Sequence, residues 1–184
     1  MVNNNGTKTI YTERTILRKF TLDDVTSFFN NVGSDPLVSK YVVWNKHENI
    51  EVTKKVIKNW IEDYKKNNIY FWAVELRETN EVIGSISCVK VDTKNATCEI
   101  GYVYSSKYWN KGYGTEVLRK VIDYLMNVEN FHTIYSKHLS LNPASGKVLE
   151  KSGMKYEGRL KNRMIDKNTG LYDDLLSYSI SKGN

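Results

Sequence analysis

Apolar residues recur along this 184-residue chain with two different periods, and the switches between them divide it into elements. Over 105–125, "SSKYWNKGYGTEVLRKVIDYL", residues Val117, Leu118, Val121, Ile122 and Leu125 fall on one helical face, while Glu116, Arg119, Lys120 and Asp123 fall on the other. That spacing predicts a helix packed on a core. A second helical pattern covers 51–66, with Val52, Val56, Ile57, Trp60, Ile61 and Tyr64 as its buried stripe. A shorter one, "TLDDVTSFFNNV", follows the strand-like "TILRKF" (15–20), with Thr21 as its N-cap. Three strand patterns lie at 69–76, 81–91 and 96–104, and the turn-forming "RETN" and "DTKN" between them predict an antiparallel meander.

The C-terminal third continues in the same way. "TIYSKHLSL" (133–141) reads as a strand, and "NPASGKVLEKSG" as a helix with Pro143 in its first turn and Gly153 as its stop. "MKYEGRLKNRMI" and "LYDDLLSYSI" then form a hairpin around "DKNTG". The order β-α-α-β-β-β-α-β-α-β-β predicts an α+β fold, with a mostly antiparallel sheet of about seven strands flanked by helices. No repeat or Pro-rich linker interrupts the chain, so residues 1–184 are expected to form one domain.

Composition narrows the partners. The chain is 40% hydrophobic and 26% charged, which is ordinary for a soluble globular protein. No apolar run approaches the ~18 residues of a membrane span, and "MVNNNGTKTI" lacks the apolar core of a signal peptide. A cytoplasmic protein without membrane contacts is the expectation. The net charge of +6 favours acidic ligands. Lysines scattered on polar helix faces argue for a solvated surface rather than a nucleic-acid groove. Cys88 and Cys98 read as reduced thiols, with a bridge between neighbouring strands as the alternative. His47, His132 and His138 show no metal-ligand spacing, so no metal is expected.

Gly112 and Gly114 fall in or just before the first turn of the helix within 105–125. There the leading backbone N–H groups lack helical partners and the helix dipole is positive. Residues without side chains let an anion approach, and Lys111 adds charge beside them. An ordinary tight turn accounts for two glycines equally well. The spacing matches neither G-x-x-x-x-G-K-[ST] nor G-x-G-x-x-G, so neither nucleotide motif is supported.

Element order, "TERTILRKFTLDD", "EIGYVYSSKYWNKGYGTEVL" and "LNPASGKVLEKSGMKYEG" together resemble the GNAT superfamily of acetyl-CoA-dependent N-acetyltransferases, in particular its RimJ/RimL-like branch. Gly112 and Gly114 match the small positions of that superfamily's Q/R-x-x-G-x-G/A loop, with Trp109 in place of Gln or Arg. The resemblance implies that "WNKGYGT", comprising Trp109, Asn110, Lys111, Gly112, Tyr113, Gly114 and Thr115, holds the coenzyme A pyrophosphate. It implies further that the pantetheine arm lies along "TCEIGYVY", where that strand splays from the next near "LSLN". Gly101, Tyr102, Val103 and Tyr104 then line the acyl end, with strand packing as the other reading of the two tyrosines. Asn142 and Lys147 complete the implied cofactor contacts.

For chemistry, Glu99 matches the family's proposed base; a lysine partner or an ammonium-holding role are its alternatives. A backbone N–H near Val103 is the implied oxyanion donor. Ser145 matches the residue suggested to replace the family's acidic tyrosine, or else it only caps its helix. The implied activity is acetyl transfer from acetyl-CoA to a primary amine by direct attack on the thioester, with the α-amine of a protein or peptide as the expected acceptor. A small-molecule amine such as a polyamine, amino acid or antibiotic is the alternative, and a non-catalytic acyl-CoA-binding protein is the third reading. Residues 33–50, including Trp44 and His47, are expected to wall the acceptor groove, with core packing as the other reading of Trp44. The protein is expected as a monomer or homodimer.

Overall fold

The computed structural model describes residues 1–66 and 68–183. Among the described residues, eight strands form one sheet: β1 (Ile10–Tyr11), β2 (Thr15–Arg18), β3 (Phe71–Leu76), β4 (Val82–Asp92), β5 (Thr97–Tyr104), β6 (Thr133–Leu139), β7 (Lys155–Ile165) and β8 (Tyr172–Ser181). Their spatial order is β1-β2-β3-β4-β5-β6-β8-β7. Every neighbouring pair is antiparallel except β5 and β6. The additional strand β1 is two residues long, too short to leave a periodic pattern.

Alternation along the central strands feeds two cores. On β3, Trp72, Val74 and Leu76 face one way, into a cluster with Ile83, Ile86 and Ile100. Helix α4 (Tyr113–Asp123) closes that side with Val117, Leu118 and Val121, each fully buried. Burying three such side chains contributes roughly 5–9 kcal/mol before entropy is counted. Ala73 faces the other way, toward Phe20, Phe28, Val32 and Ile57. Phe20 lies in the segment after β2, and the others belong to α1 (Asp24–Phe28), its π-helical continuation Phe29–Gly33, and α3 (Ile50–Asp63). Between these helices lies α2 (Pro36–Ser39), while α5 (Pro143–Lys151) packs beside α4.

Two local expectations are corrected. Thr21 is not an N-cap; α1 begins at Asp24, whose carboxylate accepts the Thr21 N–H (2.8 Å) and pairs with Arg18 (2.7 Å). Val52 lies 37% exposed in the first turn of α3, and the adjacent Thr53 is buried instead, bonded through its hydroxyl to His47 Nδ1 (2.7 Å). Asn49 caps that helix through the N–H groups of Glu51 and Val52. Gly153 follows α5 with φ +93°, as expected of a helix stop. Cys88 and Cys98 are both free thiols, and burial pushes the Cys88 thiol up. Among the described residues, no helix is long and apolar enough to cross a membrane.

One buried charge ties the N-terminal segment to this body. Glu129, fully buried just past α4, accepts hydrogen bonds from Tyr70 (2.8 Å), Tyr124 (2.7 Å) and the Asn5 N–H (2.9 Å). Three donors satisfy a carboxylate that burial would otherwise penalise heavily.

Candidate active site

Strand β5 is zipped to β4 from Asp92↔Thr97 to Gly84↔Tyr104, but pairs with β6 only at Thr97, Cys98 and Glu99. Just past that last rung the Ser136 hydroxyl donates to the Ile100 carbonyl (2.8 Å), and beyond it the strands part. Their separation begins well before the expected "LSLN". It opens a cleft of about 640 Å³ between β5, β6, the start of α4 and the start of α5.

The ladder decides which backbone groups face this cleft. Ser105 donates its N–H to the Ile83 carbonyl, so antiparallel alternation turns the Val103 N–H toward β4. The N–H groups of Tyr102 and Tyr104 then face the gap. An oxyanion donor on β5 is therefore one residue to either side of Val103. Consistently, the Tyr104 carbonyl also faces the gap side, where it accepts the Trp109 indole N–H (2.8 Å).

Twelve of the fourteen sequence-predicted site residues line this one cleft. Tyr102, Val103 and Tyr104 form the β5 wall, and Trp109, Asn110, Gly112, Tyr113, Gly114 and Thr115 form the end at α4. Asn142, Ser145 and Lys147 close it from α5. Gly112 is the residue before α4, at φ +84°, a conformation that strains any side-chain-bearing residue, and it gives the helix no side-chain cap. The first N–H groups of α4 are thus left to the cleft. A Cβ on Gly114 would meet Tyr104 at 3.4 Å and Val148 at 3.5 Å, ordinary contact distances, so the fold itself tolerates a side chain at this cleft-lining position.

Two predicted residues do not line it. Lys111 has its carbonyl held by Arg14 (2.9 Å), and its ammonium lies over the Tyr108 ring (5.2 Å) rather than over the glycines. Glu99 sits just beyond the closed end, 3.2 Å from Lys137, which does line the cleft. The lysine-pair reading of Glu99 therefore describes this structure. Within the expected groove wall, Val38, Tyr41 and Val42 line the cleft, while Trp44 takes its core reading, packed on the α1–α3 core and against His47. Burial lowers the His47 pKa, favouring its neutral form.

At the α5 wall, the Tyr102 hydroxyl meets Ser145 Oγ at 2.9 Å and Ser145 O at 3.1 Å. Tyr102 is thus more than strand packing. Burial raises its pKa well above the usual phenol range, against a smaller opposing effect of the Ser145 bond, so it remains protonated. Asn142 caps α5 by accepting the Ser145 N–H (3.4 Å). Two cleft-lining side chains carry buried polar atoms with no protein partner: Tyr104 Oη and His138 Nε2.

Arg14 is a positioning residue that the sequence pattern missed. It bonds Glu116 (2.7 Å), stacks on Tyr113 (4.1 Å) and holds the loop through the Lys111 carbonyl. Burial alone would raise the Glu116 carboxyl, but hydrogen bonds from Thr12 and Arg14 outweigh it and hold the group below its ordinary value. Beside this brace, a second groove of about 510 Å³ carries Arg119, Lys120 and Lys151.

The comparisons with known proteins agree with this geometry. A family model described as an acetyltransferase (GNAT) domain matches residues 14–155. An uncharacterized N-acetyltransferase, YoaA of Bacillus subtilis, is 32% identical over 171 residues, covering 93% of this chain and 95% of the relative. A GNAT-family acetyltransferase structure from Bacillus anthracis superposes with a TM-score of 0.81 at 29% identity, covering 95% of this chain and 98% of that one. RimL, a ribosomal L7/L12 alpha-N-protein acetyltransferase solved with coenzyme A, shares the fold at TM-score 0.84 and 18% identity, covering 95% and 98%. With the glycine loop, the parted strands and the helix-end donors all inside the matched residues, this chain belongs to the GNAT family of acetyltransferases, which transfer acetyl groups to amines.

Proposed function

We propose that this protein transfers the acetyl group of acetyl-CoA to the α-amino group of a peptide or protein. The observation that carries the reading is the two-ended cleft. Unpaired helix N–H groups suit a pyrophosphate at the α4 end, and Glu99 with its partner Lys137 sits at the closed end. The thioester lies between, where the Tyr102 or Tyr104 N–H meets the oxyanion that develops on its carbonyl. Glu99 takes a proton from the incoming ammonium, directly or through water, and the free amine attacks. As the C–S bond breaks, the hydroxyls of Tyr102 and Ser145 donate hydrogen bonds to the thiolate. The whole chain, residues 1–184, acts as one catalytic domain in this account.

The acceptor follows from proton cost. An α-amine titrates near ~8 and a lysine side chain near ~10.4, a difference of about 2.4 units or roughly 3.3 kcal/mol. A base already engaged with Lys137 favours the amine that is easier to deprotonate. RimL, with the same fold, is itself an alpha-N-protein acetyltransferase. The test is a pair of peptides with free and blocked amino termini, each carrying an internal lysine, incubated with acetyl-CoA and read by mass spectrometry. The free peptide should gain one acetyl group at its terminus. Equal acetylation of the blocked peptide rejects α-amine selectivity, and acetylation of neither peptide moves the reading to a small-molecule amine.

A further inference from the structure

We propose that Lys137 is itself an acetyl acceptor, so that the enzyme modifies its own cleft when no external amine is present. The inference rests on the proposed binding of acetyl-CoA in the cleft. Lys137 stands two residues past the Glu99↔Tyr135 rung on β6, level with Gly101 on β5, where the parted strands leave space and β5 has no side chain. Its ammonium is 3.2 Å from Glu99 Oε2, and the two side chains are only 28% and 20% exposed. An amine held against a carboxylate on the wall of an acyl-donor cleft has the surroundings that an external acceptor needs.

The other lysines on that wall lack this combination. Lys147 and Lys151 also line the cleft, but both are exposed on α5 and, among the described residues, neither has a carboxylate within ion-pair distance. Lys137 is therefore the lining lysine whose proton has a built-in acceptor. In the step, the Lys137 ammonium gives a proton to Glu99, and the neutral Nζ attacks the thioester carbonyl. A C–N bond forms, the C–S bond breaks, and coenzyme A leaves as a thiolate that takes up a proton. The balance is one ammonium and one acetyl-CoA giving one acetamide, one free thiol and one proton. Acetylation removes the lysine charge, and with it the ion pair that occupies Glu99.

The test uses the full chain incubated with acetyl-CoA and no acceptor, then digested, with acetyl occupancy followed at Lys137 and at the exposed Lys55. The free-terminus peptide is run in parallel with fresh enzyme. Lys137 should acquire the label about 100-fold faster than Lys55, the lower end of a general base's contribution. Glu99→Gln should bring it down to the Lys55 rate. Gly114→Val, aimed at cofactor binding, should slow it about tenfold at acetyl-CoA below saturation, and Lys137→Arg should leave the site unlabelled. An unmodified Lys137 in an enzyme that acetylates the peptide overturns the inference and leaves the proposed function standing. Labelling of Lys137 at the Lys55 rate, or undiminished in Gly114→Val, marks mere chemical acetylation and also overturns it. Failure of both Lys137 and the peptide to gain acetyl removes the proposed function as well.

Discussion

The two edges of β5 behave differently. Toward β4 it is zipped along its whole length, with a bulge near Val89 but no opening. Toward β6 it is zipped for three residues and then released. The antiparallel edge satisfies the backbone internally; the parallel edge leaves N–H groups from Tyr102 and Tyr104 unspent, at the mouth of a helix whose first N–H groups are also unspent. A stable sheet and a polar cleft are thus made from one strand, and the site lies where pairing stops. Substitutions at the open edge should change chemistry or ligand affinity, and those near the closed edge should change stability.

The largest expected effect is at Glu99. Glu99→Gln should lower turnover about 100-fold near neutrality, or roughly 2.7 kcal/mol, and recover partly as pH rises and free amine accumulates. A uniform loss across pH with a raised KM would mark Glu99 as a residue that holds ammonium. On the closed side, Glu129→Leu strands the Tyr70 hydroxyl, while Tyr124 keeps the Gly6 carbonyl, and should cost about 1–3 kcal/mol in denaturant unfolding, with kcat of the folded protein unchanged. An equal loss of kcat would show that the two regions are coupled.

Gly114→Val follows, with acetyl-CoA binding weakened about tenfold by calorimetry, about 1.4 kcal/mol, and a nearly unchanged Tm. The space at Gly114 admits a Cβ at ordinary contact, so wild-type affinity in the folded variant would remove the loop assignment. The smallest effect is at Glu116. Its folded pKa lies below the ordinary 4.5, so it contributes stability that is present above about that pH and lost as pH falls through the folded value. Glu116→Gln should flatten that acid limb of Tm against pH. Parallel curves for variant and wild type would place the acid loss elsewhere.

These contrasts follow how much of the molecule local pattern reveals. The helix at Val117–Leu125, the meander, the terminal hairpin and the glycine pair are all encoded within short windows, and each lies where its window predicts. Partnerships across the fold are not so encoded. Arg14 and Glu116 are 102 residues apart, Tyr102 and Ser145 are 43, and Glu99 and Lys137 are 38. The identity of neither partner predicts the other. Helical periodicity also fails to separate Val52 from Thr53, because only the position of His47 makes the threonine the buried one. The point where β5 leaves β6 depends on Ser136 reaching the Ile100 carbonyl, a contact that hydrophobic patterning does not carry.

Amide hydrogen exchange with and without acetyl-CoA tests the open edge of β5 most directly. Binding should slow exchange at Tyr102 and Tyr104 and at Tyr113–Thr115, while Gly101 and Val103, already donating to β4, stay as they were. Protection confined to the outer groove around Arg119 and Lys120, or none at Tyr102 and Tyr104, would contradict the claim that acetyl-CoA lies in the cleft where β5 and β6 part.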